Sequence, residues 1–131
     1  TNMIALRSWA DHKRVLVPKV SWEQRRMIPI EIRSLDTVRV GGMGIREPAD
    51  GLPFPVGDID LIIVADVLYD NSNFVWLQRF VERADQVLIA DSRVKNFDHP
   101  PYRQIARCDS CTLPDLDESA EFRDVRIYRA D

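Results

Sequence analysis

Between Asp60 and Asp91 two unbroken apolar runs flank one amphipathic stretch. The first run is Asp60-Leu-Ile-Ile-Val-Ala-Asp66 and the second is Gln86-Val-Leu-Ile-Ala-Asp91. Apolar runs without polar alternation predict strands covered on both faces, as in a parallel sheet flanked by helices. From Ser72 to Ala84, the residues Phe74, Leu77, Phe80 with Val81, and Ala84 recur at helical spacing, and Asn71 or Ser72 is positioned to cap that helix. Strand, helix and strand in this order predict a βαβ unit with a right-handed crossover. Ligands of open α/β sheets bind beyond the carboxyl ends of the strands. Asp66, Tyr69, Asp70 and Asp91 fall there.

The pattern is weaker elsewhere. Met3, Leu6 and Trp9 with Ala10 predict a short amphipathic helix over Asn2–Arg14. Val15 to Trp22 is strand-like, but Pro18 confines it to an edge or a loop. Ile30 and Ile32, then Val38 and Val40, alternate with polar neighbours, and the break in parity near Leu35-Asp36 predicts a bulge or two short strands. Gly41 to Gly57 holds three prolines and reads as a long loop, the one internal seam of an otherwise single domain. Two more strands, Arg103–Arg107 and Phe122–Arg129, close the chain. Between them Asp109, Asp115, Asp117, Glu118 and Glu121 form an acidic solvated loop.

Composition narrows the class. The 131 residues suffice for one domain with a real core, and 45% hydrophobic with 30% charged residues argues against disorder. No apolar run approaches the roughly 20 residues of a membrane span, and no secretory signal is visible. Net charge is −3 and the basic residues are scattered, which disfavours nucleic acid as a partner. Two cysteines make no disulfide scaffold, so a reducing, cytoplasmic location is expected.

Candidate chemistry concentrates after the first apolar run. Asp66 and Tyr69 have the spacing D-x-x-Y at a strand end. The plain alternative is that Asp66 caps the next helix and Tyr69 packs on it. Cys108-Asp-Ser-Cys111 lacks the helix N-terminus that lowers a redox thiol's pKa and lacks further ligands at zinc spacing, so free thiols and no metal are expected. His99 lies in a proline-rich loop and reads as a surface histidine, with only Asp98 at hand to orient it as a base. Gly41-Gly42-Met43-Gly44 follows a strand but is followed by Arg46-Glu47-Pro48, whereas a cofactor turn must open a helix.

The segment from Asp58 to Asp91 resembles the second half of a seven-strand, class I S-adenosylmethionine-dependent methyltransferase. It is most similar to the group of protein-lysine methyltransferases and nicotinamide-methylase-like proteins. Asp66-Val67-Leu68-Tyr69 matches that group's acidic D-x-x-Y element after the fourth strand. Val87 to Arg93 matches the fifth strand and its loop, and Val125-Arg126-Ile127-Tyr128 the closing antiparallel pair. The resemblance covers about the last 75 residues. It implies a Rossmann-like α/β fold with a mostly parallel sheet and an antiparallel C-terminal strand pair, incomplete at the N-terminus because the family's glycine turn would lie upstream of Thr1.

For function the resemblance implies methyl transfer from S-adenosylmethionine to an amine, with a protein lysine as one such substrate. Asp66 would orient the amine and Tyr69 would contact it through its ring. Asp36 would face the adenine, and the crevice around Ala65 would take part of the cofactor. Without the glycine turn the chain alone is expected to bind S-adenosylmethionine weakly or not at all, and a truncated sheet is expected to self-associate. The alternative is a non-catalytic protein-interaction domain with a methyltransferase-like sheet.

Overall fold

The structure is a computed structural model that describes residues 2–44, 46–49, 51–55, 57, 59–111 and 119–131. The chain divides into two compact units, Thr1–Pro55 and Val56–Asp131, within the 41–57 stretch read as a seam. Asp58, where the resemblance begins, and Asp115, Asp117 and Glu118 of the acidic loop lie outside the described residues.

The first unit opens with helix α1 (Asn2–Ala10). His12, at a φ of 55°, follows its end in the left-handed geometry that commonly closes a helix. Of its side chains only Ala5 is buried, and Met3 and Leu6 remain 75% and 47% exposed, so the apolar stripe read from the sequence is largely not a core face. Strands β1 (Val15–Ser21) and β2 (Arg26–Ile32) form an antiparallel hairpin with Pro18 opposite Pro29. A two-stranded sheet consists of two edges, and edges tolerate a residue without an N–H. The parity break resolves as two separate strands. A 3-10 turn at Leu35–Thr37, capped by the Ser34 side chain, separates β2 from β3 (Val38–Val40), which pairs antiparallel with β4 (Arg46–Pro48).

The second unit contains β5 (Ile59–Ala65), α2 (Phe74–Val81), β6 (Ala84–Asp91), β7 (Arg103–Asp109), the one-turn helix α3 (Ala120–Arg123) and β8 (Asp124–Ala130). Its sheet runs in the order β5-β6-β8-β7. β5 and β6 are parallel, with Ile62 opposite Val87 and Val64 opposite Ile89, while β8 is antiparallel to both β6 and β7. The helix is shorter than its apolar pattern. Ala84 opens β6 instead of closing the buried stripe.

The Rossmann-like, mostly parallel sheet expected from the sequence is therefore not formed. Strands predominate, two of the three sheets are small antiparallel pairs, and the third has a single parallel pairing among three. The physical reason lies in β5. Its unbroken apolar run predicts coverage on both faces, yet only Ile62 and Val64 pack against the core, and Leu61 and Ile63 are 41% and 49% exposed. The prolines of the first 55 residues favour hairpins there over strands of a continuous sheet.

On the covered face Val87 and Ile89 of β6 and Tyr128 and Ala130 of β8 close over Leu77 of α2, together with Leu68 and Tyr102. Leu77 and Ile89 are wholly buried, each stabilising by about 1.5–3 kcal/mol. The Tyr102 hydroxyl donates to the Leu77 carbonyl at 2.7 Å, which ties its loop to α2 and satisfies the buried phenol. His99 is half-buried among Phe74 and Phe97, with ring centroids 5.5 and 6.0 Å away, so it packs in the aromatic cluster and is not a free surface histidine.

Candidate functional site

The carboxyl ends of β5 and β6, the only parallel pair among the described residues, lie side by side, and the loops that leave them are held together by two aspartates in different ways. Asp91 is 1% exposed. Its Oδ2 accepts from the Leu68 N–H at 3.2 Å, and its Oδ1 accepts from the N–H groups of Arg93 and Val94 at 2.9 and 2.8 Å. A buried carboxylate demands such donors, and here they come from both loops. Asp91 thus fixes the β5 loop through Leu68 and turns its own loop through Arg93 and Val94. It is a structural fastener, with no free lone-pair side turned to solvent.

Asp66 is the opposite case. It is exposed and takes a φ of 49°, a left-handed conformation uncommon for a side-chain-bearing residue, though less costly for aspartate than for most. Its N–H still donates to the Ala90 carbonyl at 3.0 Å, so the kink falls where the strand ladder ends. The turned-out carboxylate receives only long contacts, from the Ser92 N–H at 3.5 Å and the Ser92 hydroxyl at 3.3 Å. Asp66 does not cap the next helix. Asp70 does the capping, accepting from the Ser72 N–H at 2.8 Å at the 3-10 turn before α2, and interaction with the Ser72 hydroxyl, then with its N–H, holds the carboxyl below the usual aspartate range. Asn73 lends no side-chain cap to α2. Its amide instead donates to the Val67 carbonyl at 3.0 Å and steadies the D-x-x-Y segment.

Between Asp66 and Tyr69, Leu68 is 2% exposed and anchors the segment in the core, while Tyr69 is left 62% exposed. The Arg93 guanidinium lies over the Tyr69 ring, with Cζ 5.5 Å from the centroid, and over the Phe122 ring at the same distance. Phe122 reaches the site because Lys95 holds α3. The Lys95 ammonium donates to the carbonyls of Ser92, Glu121 and Asp124 at 2.7, 3.0 and 3.1 Å, and it pairs with the Asp124 carboxylate at 3.5 Å. Arg126 donates to the Lys95 carbonyl from the neighbouring strand. The loop after β6 is therefore pinned at Asp91, Lys95 and Arg126, and an exposed carboxylate and two exposed rings project from a fixed base.

Of the sequence-predicted site residues, Ala65, Asp66 and Tyr69 lie together. Ala65 ends β5 with an exposed methyl and leaves room above the strand end. Asp36 belongs to the first unit, on an exposed 3-10 turn past the end of β2, with its N–H bound to the Ser34 hydroxyl at 3.2 Å. Ser92, Arg93, Lys95 and Phe122 were not singled out by sequence reasoning. Their roles depend on cross-loop contacts spanning 24 to 29 residues, for which the sequence has no periodic signal.

Gly41 to Gly44 lies between β3 and β4 and forms a 3-10 turn that opens no α-helix. A Cβ on Gly41 would sit 2.6 Å from Glu47 Oε2, so glycine there makes room for a neighbouring carboxylate within the strand pair. Glu47 Oε1 is buried without a hydrogen-bond partner, and the open cleft beside it, about 280 Å³, is lined by Lys19, Arg39 and Val40. Cys108 and Cys111 are free and exposed. Among the described residues no three His, Cys, Asp or Glu side chains gather as a metal site, and no helix is long and apolar enough to cross a membrane.

No protein-family model, curated protein or solved structure matches this chain.

Proposed function

We propose that this chain contributes the acceptor side of an S-adenosylmethionine-dependent methyltransferase acting on an amine, with a protein lysine as the first acceptor to test. The observation that carries the reading is Asp66, an exposed carboxylate in a left-handed kink at the end of a parallel strand, with only Ser92 against it. Backbone kinks of this kind gather at functional sites, and the edge beyond parallel strands is where α/β ligands bind. Asp66 is free to accept a hydrogen bond from an incoming amine and hold its lone pair toward the methyl donor. Tyr69 offers a ring face to a cationic or partly charged nitrogen. Methyl transfer is a displacement that asks chiefly for positioning, and a base pinned at three points suits that demand. The cofactor would supply the methyl group, and the glycine turn expected to hold much of it has no counterpart in the 3-10 turn of Gly42–Gly44. Calorimetry on the 131-residue chain should accordingly give weak or no binding of S-adenosylmethionine, and micromolar binding would contradict this division of labour.

The direct test is a methyl-transfer assay at saturating S-adenosylmethionine. Labelled S-adenosylmethionine and a set of lysine-bearing peptides should yield label on the lysine amine. Label on oxygen or ring nitrogen, or no transfer with any peptide, would overturn the acceptor class.

A second reading, a non-catalytic interaction domain, is favoured by one observation. β5 pairs only with β6 among the described residues, and its outer face bears exposed Leu61 and Ile63. A second copy of the chain is the occupant that suits this edge, because antiparallel pairing about Ile62 brings no like charges together.

A further inference from the structure

Arg93 makes no hydrogen bond or ion pair through its side chain among the described residues; what it has is two rings, Tyr69 and Phe122, each 5.5 Å from the guanidinium carbon. The rings come from segments more than 50 positions apart, and neither depends on the Arg93 side chain for its place. Tyr69 is set by buried Leu68 and the Leu68 N–H bond to Asp91, and Phe122 by the Lys95 bonds to the carbonyls of Glu121 and Asp124 on either side of it. Arg93 itself is exposed, on a long side chain with ample rotamer freedom. The arrangement is thus a pair of rings held by other residues, with a removable cation between them.

We propose that Tyr69 and Phe122 form an aromatic clamp for an alkylammonium group from outside the chain, a lysine amine or its N-methylated forms, and that Arg93 is the internal occupant which must swing out to admit it. Ring faces attract any such cation, and quaternary ammonium groups are recognised this way in general. Among the described residues Arg93 has no salt bridge to break on leaving the clamp, so an external ammonium competes there against ring contacts. The exposed Asp66 carboxylate, three residues before Tyr69, adds a counter-charge on the same loop. The identity of the ligand rests on the amine reading above, whereas the clamp does not depend on methyl transfer.

The test is an aromatic NMR titration of the full chain with Nα-acetyl-lysine methylamide and its trimethylated form, with the norleucine amide as an uncharged control. It needs neither cofactor nor turnover, so failure of the clamp and failure of methyl transfer are read separately. The ring signals of Tyr69 and Phe122 should shift with both ammonium ligands and not with norleucine. Arg93→Gln, with Arg93→Met as a second variant should Gln misfold, should bind about two- to five-fold tighter, the range expected for an exposed cation–ring contact. Adding Tyr69→Ala should abolish that gain. Unchanged affinity on removal of Arg93, a gain that survives Tyr69→Ala, or equal shifts with norleucine would each overturn the proposal.

Discussion

Asp91 and Asp66 stand at equivalent ends of neighbouring strands and have opposite fates, decided by which backbone N–H groups reach them. Asp91→Ala would leave the N–H groups of Leu68, Arg93 and Val94 without their acceptor. A buried donor left unsatisfied costs about 1–3 kcal/mol, so with partial rescue by water the variant should lose about 3 kcal/mol, read as a shift of the denaturant midpoint. A loss below 1 kcal/mol would mean that Asp91 does not fasten the two loops. Tyr102 offers a pH readout. Burial pushes its hydroxyl up to about 12, above the ordinary 10. Raised folded values favour the neutral form, so this contribution is intact below pH 10 and lost as pH rises toward 12. Burial raises the Tyr128 hydroxyl as well, so ultraviolet titration should show more than one tyrosine ionising late, and Tyr102→Phe should remove the step near pH 12.

At the scale of elements, β7 is exposed along its whole length and is joined to β8 and the chain end by ion pairs as well as ladder bonds. Arg107 meets Asp124 at 2.5 Å and Arg103 meets Asp131 at 2.7 Å. Each hydrogen bond to arginine holds its carboxyl below the ordinary 3.8. Depressed folded values mean the contribution is present above pH 3.8 and disappears as pH falls through the lowered values. Amide exchange of β7 should therefore accelerate below about pH 4 before that of β6 does, and Asp124→Asn should weaken the effect. The pairing of β5 with β6 across α2 was legible in the sequence, because Phe74, Leu77, Phe80 and Val81 keep helical spacing between two apolar runs. The end of α2 was not, since alanine at position 84 suits a helix end and a strand start alike. The coverage of β5 was misjudged because an unbroken apolar run reports the residues' hydrophobicity and not what packs on them. Three strand-end aspartates look alike in sequence, and only the positions of the N–H groups separate the fastener Asp91 and the cap Asp70 from the exposed Asp66.

For the whole molecule, the second unit carries the candidate site and also β5, which among the described residues pairs on one side alone. β5 has seven residues, no proline and one charge, Asp60, and such edges template pairing with another chain. Antiparallel pairing of two copies centred on Ile62 would set Leu61 opposite Ile63 and Asp60 opposite Val64, so no like charges meet. Sedimentation should show concentration-dependent dimers that Ile63→Lys abolishes; a monomer at all concentrations would remove the support for the interaction-domain reading. Methyl transfer and edge pairing use different parts of the unit, so Ile63→Lys should leave the Asp66 site intact.

The claim that Asp66 is an acceptor-site residue and not a structural one is tested most directly by turnover per folded molecule. Asp66→Gly, which suits the left-handed φ of 49° that alanine would strain, should reduce methyl transfer at least about 100-fold. Its stability should change by less than about 1 kcal/mol, because the only side-chain bonds lost are the long ones to Ser92. Retained turnover per folded molecule together with a marked loss of stability would contradict the account.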